Sequence, residues 1–395
     1  MIQPDERYKK LEPMTEDKPA QTQSTAQFIR NVLVKGVLLF LLVNFAVGLI
    51  PVGNTLGKLS LYNLVWPGRV RLPFGENPAE AYNLSLYDLE AMFASHEINA
   101  GQKPADEFRI ILIGDSATWG TLLEPQDTLS GLINADKMTT SDGRTVRAYN
   151  LAYPSMSLAK DLMILEKVMN YDPDLILWPV TLQSFPNQIQ IETPLVANNP
   201  QRVIPLVDSF DLPLQDNLSQ FTLSTTWDRT LIGRRRTIFD ALQLQFYGMM
   251  WAATGIDQTY PSDYVPAQRD FEAGDTAFAG WEPDTLPADQ LLIDALSAGK
   301  ILAGGIPVLV INEPILISTG TNSDIRYNFF YPRWAYDQYR QLIADLSIDA
   351  EWAYLDLWDV IPEAEFTNSA VHLTPAGSHI FYNALKPTLE QLITP

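Results

Sequence analysis

The chain has 395 residues, 46% apolar and 19% charged, which is ordinary material for one large globular core or two smaller ones. Its 27 lysines and arginines face 47 aspartates and glutamates, a net charge of −20, which argues against a nucleic-acid partner because phosphate binding needs a basic surface. There is no cysteine, so disulfides, thiol nucleophiles and Cys-ligated metals are excluded; the three histidines, His96, His372 and His379, leave little room for a multi-His metal centre, and no cofactor is called for.

Residues 1–31 are polar, rich in Lys, Glu, Gln, Thr and Pro, and read as a disordered tail. Residues 32–52 are apolar except for Lys35 near the start, where a long side chain can snorkel. At ~1.5 Å per residue the run covers roughly 30 Å, one bilayer core, and no small-residue cleavage site follows it. The expectation is a single uncleaved transmembrane helix. Six basic residues lie in the chain up to Lys35, against Lys58, Arg69 and Arg71 just beyond the run, so the positive-inside rule favours a cytoplasmic tail and an extracytoplasmic domain. Residues 53–104 read as a membrane-proximal linker, with Leu61–Arg69 carrying the aromatic and basic residues of a membrane-interface segment.

From residue 105 strands and helices alternate. Arg109–Ile113 is a short apolar strand ending at Gly114, and residues 126–137 can form a helix. Thr145–Leu151 is a second strand, Ser157–Met169 a helix and Asp174–Val180 a third strand. Residues 188–288 break the pattern and read as an insertion. Within it, Arg234–Ala253 is amphipathic. Such a segment serves as a membrane-surface helix, as a lid, or, most plainly, as a helix packed on the domain with Asp240, Gln243 and Gln245 towards water. The pattern resumes with a helix over Asp289–Gly304, a strand over Pro307–Asn312, a helix over Arg333–Leu346 and a strand over Ala353–Leu357. A last helix begins at Thr374, an N-cap followed by Pro375. Five apolar strands alternating with helices predict a parallel sheet covered on both faces, with ligands bound beyond the carboxyl ends of the strands.

That edge gathers the polar residues. Gly114-Asp115-Ser116 follows the first strand, at a strand-to-helix turn that suits a nucleophile, since backbone N–H groups there can hold an oxyanion. A serine needs a base. His372, in Val371-His-Leu-Thr-Pro-Ala-Gly377, returns to the same edge after the last strand, whereas His379 falls on the final helix and His96 before the first strand. The plain alternative is an ordinary turn in which Asp115 and Ser116 cap the next helix.

These blocks resemble the SGNH/GDSL hydrolase superfamily, esterases and acyltransferases on a flavodoxin-like three-layer sandwich. The resemblance covers about residues 108–187 and 300–395. It implies that Ser116 is the nucleophile and one oxyanion donor, and that His372 is its base. In the second block, Asn150–Ser155, Ser155 stands where the family has a glycine whose N–H binds the oxyanion. In the third, Thr181–Ser184, Gln183 stands for the family's asparagine, with Asn187 a spare. The family's Asp, three residues before the histidine, is here Ser369; that serine, Asn368 one residue further back, Glu365 or Glu313 could orient the ring instead.

The resemblance implies a membrane-anchored esterase or O-acyltransferase acting on acyl, foremost acetyl, esters of a cell-surface glycan or lipid, beside a multi-spanning membrane acyltransferase. The alternative is a catalytically inactive glycan-binding or scaffold protein of an envelope complex, which the missing Asp favours. A phosphate-binding flavodoxin-like domain is disfavoured, because no glycine-rich phosphate loop follows any strand.

Overall fold

The computed structural model describes residues 24–50, 55, 61–66, 88–221, 225–256 and 259–394. Residues 1–23 of the expected tail lie outside these residues, as does much of the expected linker, whereas 25–31 of that tail are helical. Five parallel strands form the sheet: β1 (Glu107–Leu112), β2 (Thr145–Asn150), β3 (Leu175–Val180), β4 (Val308–Asn312) and β5 (Ala353–Asp356), in the order β2-β1-β3-β4-β5. This is the flavodoxin-like order, whose direction reverses between β1 and β3.

Alternation along β1 explains the layers. Ile110 and Leu112 face one side, against Leu129, Leu132 and Ile133 of the helix Leu129–Asp136 and Leu385 and Leu389 of the final helix Pro375–Ile393. Ile111 and Ile113 face the other, against Leu162 and Leu165 of Leu158–Val168, Leu296 of Asp294–Leu302 and Tyr336 of Arg333–Asp349. Both faces are thus covered, which is why the strands read as continuous apolar runs. The fold is the three-layer sandwich that the SGNH/GDSL resemblance implies.

Two boundaries and one side-chain orientation differ from the sequence reading. Residues 88–99 belong to the core rather than to a linker: Leu89, Met92, Phe93 and Ile98 are buried in the main apolar cluster. The apolar N-terminal helix spans Thr25–Ala46, begins at the Ser24 cap and continues as a 3₁₀ turn over Val47–Leu49, seven residues earlier in its start than the apolar run suggests. It is long and apolar enough to cross a membrane, with a mean hydropathy of 2.4 over its most apolar window. The third difference concerns Gln245 of the helix Arg235–Thr254, expected to face water. It is buried, because its Oε1 accepts the Leu61 N–H at 2.8 Å and so satisfies a backbone donor.

The insertion is not a separate lobe. Its helix Pro200–Ser209 buries Val203, Leu206 and Val207 in the same cluster as the sheet.

Candidate active site

The turn after β1 is built around a glycine. Gly114 has φ +149°, and a Cβ there would sit 2.7 Å from Thr118 Oγ1 and 3.3 Å from the Pro179 carbonyl of β3. Asp115 caps the short helix Ser116–Trp119 by accepting the Ala117 N–H at 2.8 Å. Ser116 is left half-buried at the carboxyl edge of the sheet, and its N–H has no partner among the described residues.

His372 reaches this serine from the other end of the chain: Nε2 lies 2.8 Å from Ser116 Oγ. The His-Leu-Thr-Pro-Ala-Gly stretch has a physical role at each position. Thr374 caps the final helix through the Gly377 N–H at 3.0 Å, and Pro375 fits the first turn. A Cβ on Gly377 would meet the Glu365 carbonyl at 2.9 Å, so the helix and the preceding loop close only with glycine.

The ring's other nitrogen answers the question that the sequence leaves open. His372 Nδ1 lies 3.0 Å from Asn368 Oδ1. An amide oxygen only accepts, so this contact fixes the proton on Nδ1 and turns the Nε2 lone pair to the Ser116 hydroxyl. The turn is closed by the Thr367 N–H on the His372 carbonyl at 2.9 Å, which brings the fourth residue back, not the third, under the ring. Ser369, though buried, makes no hydrogen bond among the described residues, and Glu365 is bonded to the Thr374 hydroxyl. Burial pushes the His372 ring below its ordinary pKa, with the Asp115 carboxylate opposing. The resting ring is therefore neutral, as a base must be.

The oxyanion donors are less complete than expected. The Ser155 N–H is spent on the Tyr153 carbonyl at 2.6 Å, in a tight turn centred on Pro154, whose fixed φ suits an inverse γ-turn. Its hydroxyl is buried without a partner. The half-buried Gln183 side chain also has no partner among the described residues, while its N–H donates to Tyr331 Oη at 3.4 Å. Thr181 donates to the same hydroxyl at 3.0 Å, so buried Tyr331 holds the third block in place. Asn187 is not in the site; its amide donates to the Asp289 carbonyl at 3.2 Å.

Beneath the serine lies a charged cluster that sequence reasoning missed. Lys160, fully buried, pairs with Asp161 at 2.8 Å and donates to the carbonyls of Gly114 and Tyr153, the latter at 3.1 Å. It thus ties the first block's turn to the second block's loop. Trp178 Nε1 donates to Asp161 at 3.1 Å, and burial still pushes Asp161 above the usual carboxylate range. Glu313, after β4, is pushed well above that range by burial and by the neighbouring Asp115. The one available signal was Lys160-Asp161 breaking the apolar run in the first half of the helix Leu158–Val168. The remaining histidines stand apart: His96 accepts the Ile98 N–H at 3.1 Å and bonds the Asn150 carbonyl at 3.0 Å, and His379 is exposed on the final helix.

No family model matches the sequence, and no curated protein matches it. Among solved structures, the chain is similar to that of TesA at 12% identity, over 72% of this chain and 99% of the other, with a TM-score of 0.34. It is also similar to a carbohydrate acetylesterase family member from Sinorhizobium meliloti at 11% identity, over 72% of this chain and 98% of the other, with a TM-score of 0.32. Likeness this distant carries no functional argument; what the molecule itself presents is a serine, a neutral histidine and an asparagine in hydrogen-bonded series at the carboxyl edge of a flavodoxin-like sheet.

Proposed function

We propose that the chain is a membrane-anchored serine ester hydrolase or O-acyltransferase of SGNH/GDSL type. Its substrates are acyl, foremost acetyl, esters of a cell-surface glycan or lipid. The observation that carries this reading is the relay from Ser116 Oγ through His372 to Asn368, at 2.8 and 3.0 Å.

In this reading His372 takes the Ser116 proton as Oγ attacks the ester carbonyl. The Ser116 N–H and the Gln183 amide receive the developing oxyanion. The tetrahedral intermediate collapses as the imidazolium returns the proton to the leaving alcohol, leaving an acyl-serine. Water, or the hydroxyl of an acceptor, then gives its proton to His372 and attacks the acyl carbon; the imidazolium returns that proton to Ser116 Oγ as the acyl–serine bond breaks. Asn368 orients the ring but, being neutral, stabilises the imidazolium less than a carboxylate would, as in cysteine proteases with a Cys-His-Asn arrangement. The apolar helix Thr25–Leu49 supports the anchor, with the domain on the extracytoplasmic side.

The test is hydrolysis of p-nitrophenyl acetate and of acetylated glycans by the full chain in detergent, beside Ser116→Ala. The reading predicts loss of both activities in the variant. Equal rates would favour the second reading, a non-catalytic glycan-binding or scaffold protein, for which the neutral Asn368 and the spent Ser155 N–H speak.

A further inference from the structure

The helix Arg235–Thr254 has no part in the relay, and its polarity runs opposite to that of a helix packed on a soluble domain. Its inner face carries Gln245, Gly248 and Ala252, all buried. Its outer face carries Phe239, Leu242, Phe246 and Met250, each 53–68% exposed. Their spacing of three, four and four residues puts them on one stripe.

The start of this helix is fixed to the end of the apolar N-terminal helix. Asn44, buried although its neighbours on that helix are exposed, accepts the Leu231 N–H on its carbonyl at 3.1 Å and the Ile232 N–H on Oδ1 at 2.9 Å. Arg234 Nη1 donates to the Ile50 carbonyl at 3.1 Å. The junction also concentrates positive charge: Arg229, Arg234, Arg235 and Arg236 fall within eight residues of a chain whose net charge is −20. Half-exposed Trp227 stands beside them.

From this geometry we infer that Arg235–Thr254 is a second membrane contact, an interfacial helix whose Phe239–Met250 stripe enters the headgroup–acyl boundary of the bilayer that holds the N-terminal helix. The inference rests on the anchor reading. Two observations select lipid as the occupant. The stripe begins where the apolar span ends, at headgroup level, and the arginines there complement anionic headgroups in an otherwise acidic protein. The consequence for function is orientation: a helix end and a helix face, held together by Asn44, fix the domain's tilt, and with it the height of Ser116 above the membrane.

The absence of cysteine makes the test direct, since any introduced thiol is unique. Nitroxide labels are placed by Phe246→Cys and Met250→Cys on the stripe, Leu39→Cys on the apolar helix and Ile348→Cys on an exposed site of the helix Arg333–Asp349. The full chain is reconstituted in phosphatidylcholine–phosphatidylglycerol vesicles, and label accessibility to oxygen is compared with that to an aqueous nickel chelate. The expected result is an oxygen-to-nickel ratio at positions 246 and 250 several-fold above that at 348 and close to that at 39. Ratios at 246 and 250 equal to that at 348, with 39 still in lipid, would overturn the inference and leave the anchor standing. Shielding of 246 and 250 from both agents would overturn it in favour of a protein partner or a second copy. An aqueous label at 39 would overturn the anchor and the inference together.

Discussion

The two ends of this molecule break the ordinary rule of polarity in opposite directions. At the carboxyl edge of the sheet, Lys160, Asp161, Asp115 and Glu313 are buried beneath the serine. On the helices Thr25–Ala46 and Arg235–Thr254, large apolar side chains are exposed. An exposed leucine or a half-wet lysine is commonplace, but a buried charge cluster and a continuous apolar stripe are not. Each needs a reason outside simple burial. In the first region the reason is positioning, since Lys160 holds Gly114 and Tyr153 and so sets the turn that presents Ser116. In the second, the proposed reason is a solvent other than water, the bilayer.

The comparison is broken most severely by removing the chemistry itself. Ser116→Ala or His372→Ala is expected to lower ester hydrolysis by about 10⁴-fold or more, read as kcat/KM, with the melting temperature nearly unchanged. Next in size is Lys160→Met. It leaves Asp161 buried without its partner and should cost about 3–5 kcal/mol of stability in denaturant unfolding, with loss of activity following the displaced turn.

Asn368 sharpens the account of the relay. Asn368→Ala should lower kcat by about 10–100-fold, a share of the roughly 10²–10⁴ that a general base supplies. Asn368→Asp sets a carboxylate against Nδ1 and raises the ring's pKa. In the parent protein burial depresses that pKa below 6.5, so the active neutral ring persists to lower pH and the acid limb of the rate profile lies below that value. In Asn368→Asp the acid limb should move to higher pH; an unmoved limb would mean that residue 368 does not face the ring.

The smallest effect concerns the exposed stripe. Phe239→Ser combined with Phe246→Ser should change unfolding stability by no more than about 0.5 kcal/mol per site, since neither ring is part of the core. The same variant should leave p-nitrophenyl acetate hydrolysis intact. A large destabilisation would mean that the face is covered by protein after all.

How much of this was legible in the sequence follows from how local each cause is. The Gly-Asp-Ser turn and the His-Leu-Thr-Pro-Ala-Gly cap are written in consecutive residues, because each depends on one turn of backbone. The sheet was legible for a similar reason, as five apolar runs each end at polar residues. Asn368 stood only as one of several options, because its place under the ring depends on the Thr367–His372 hydrogen bond closing the loop. Lys160 could not be placed, since its partners Gly114 and Tyr153 come from other elements. The segment 88–99 was legible too, because Leu89, Met92 and Phe93 stand at helical spacing behind the Asp88 cap; a linker drawn over 53–104 overlooks that signal. Amides usually lie on the wet face, which places Gln245 there by sequence alone, but the Leu61 N–H finds its acceptor in Gln245 Oε1.

The central claim is that Ser116 is a nucleophile activated by His372. The most direct measurement is intact-mass analysis of the full chain after incubation with a fluorophosphonate. The account predicts one adduct, mapped to Ser116, absent from Ser116→Ala and much slower to form in His372→Ala. No adduct on the parent protein, or the same adduct on Ser116→Ala, would contradict it.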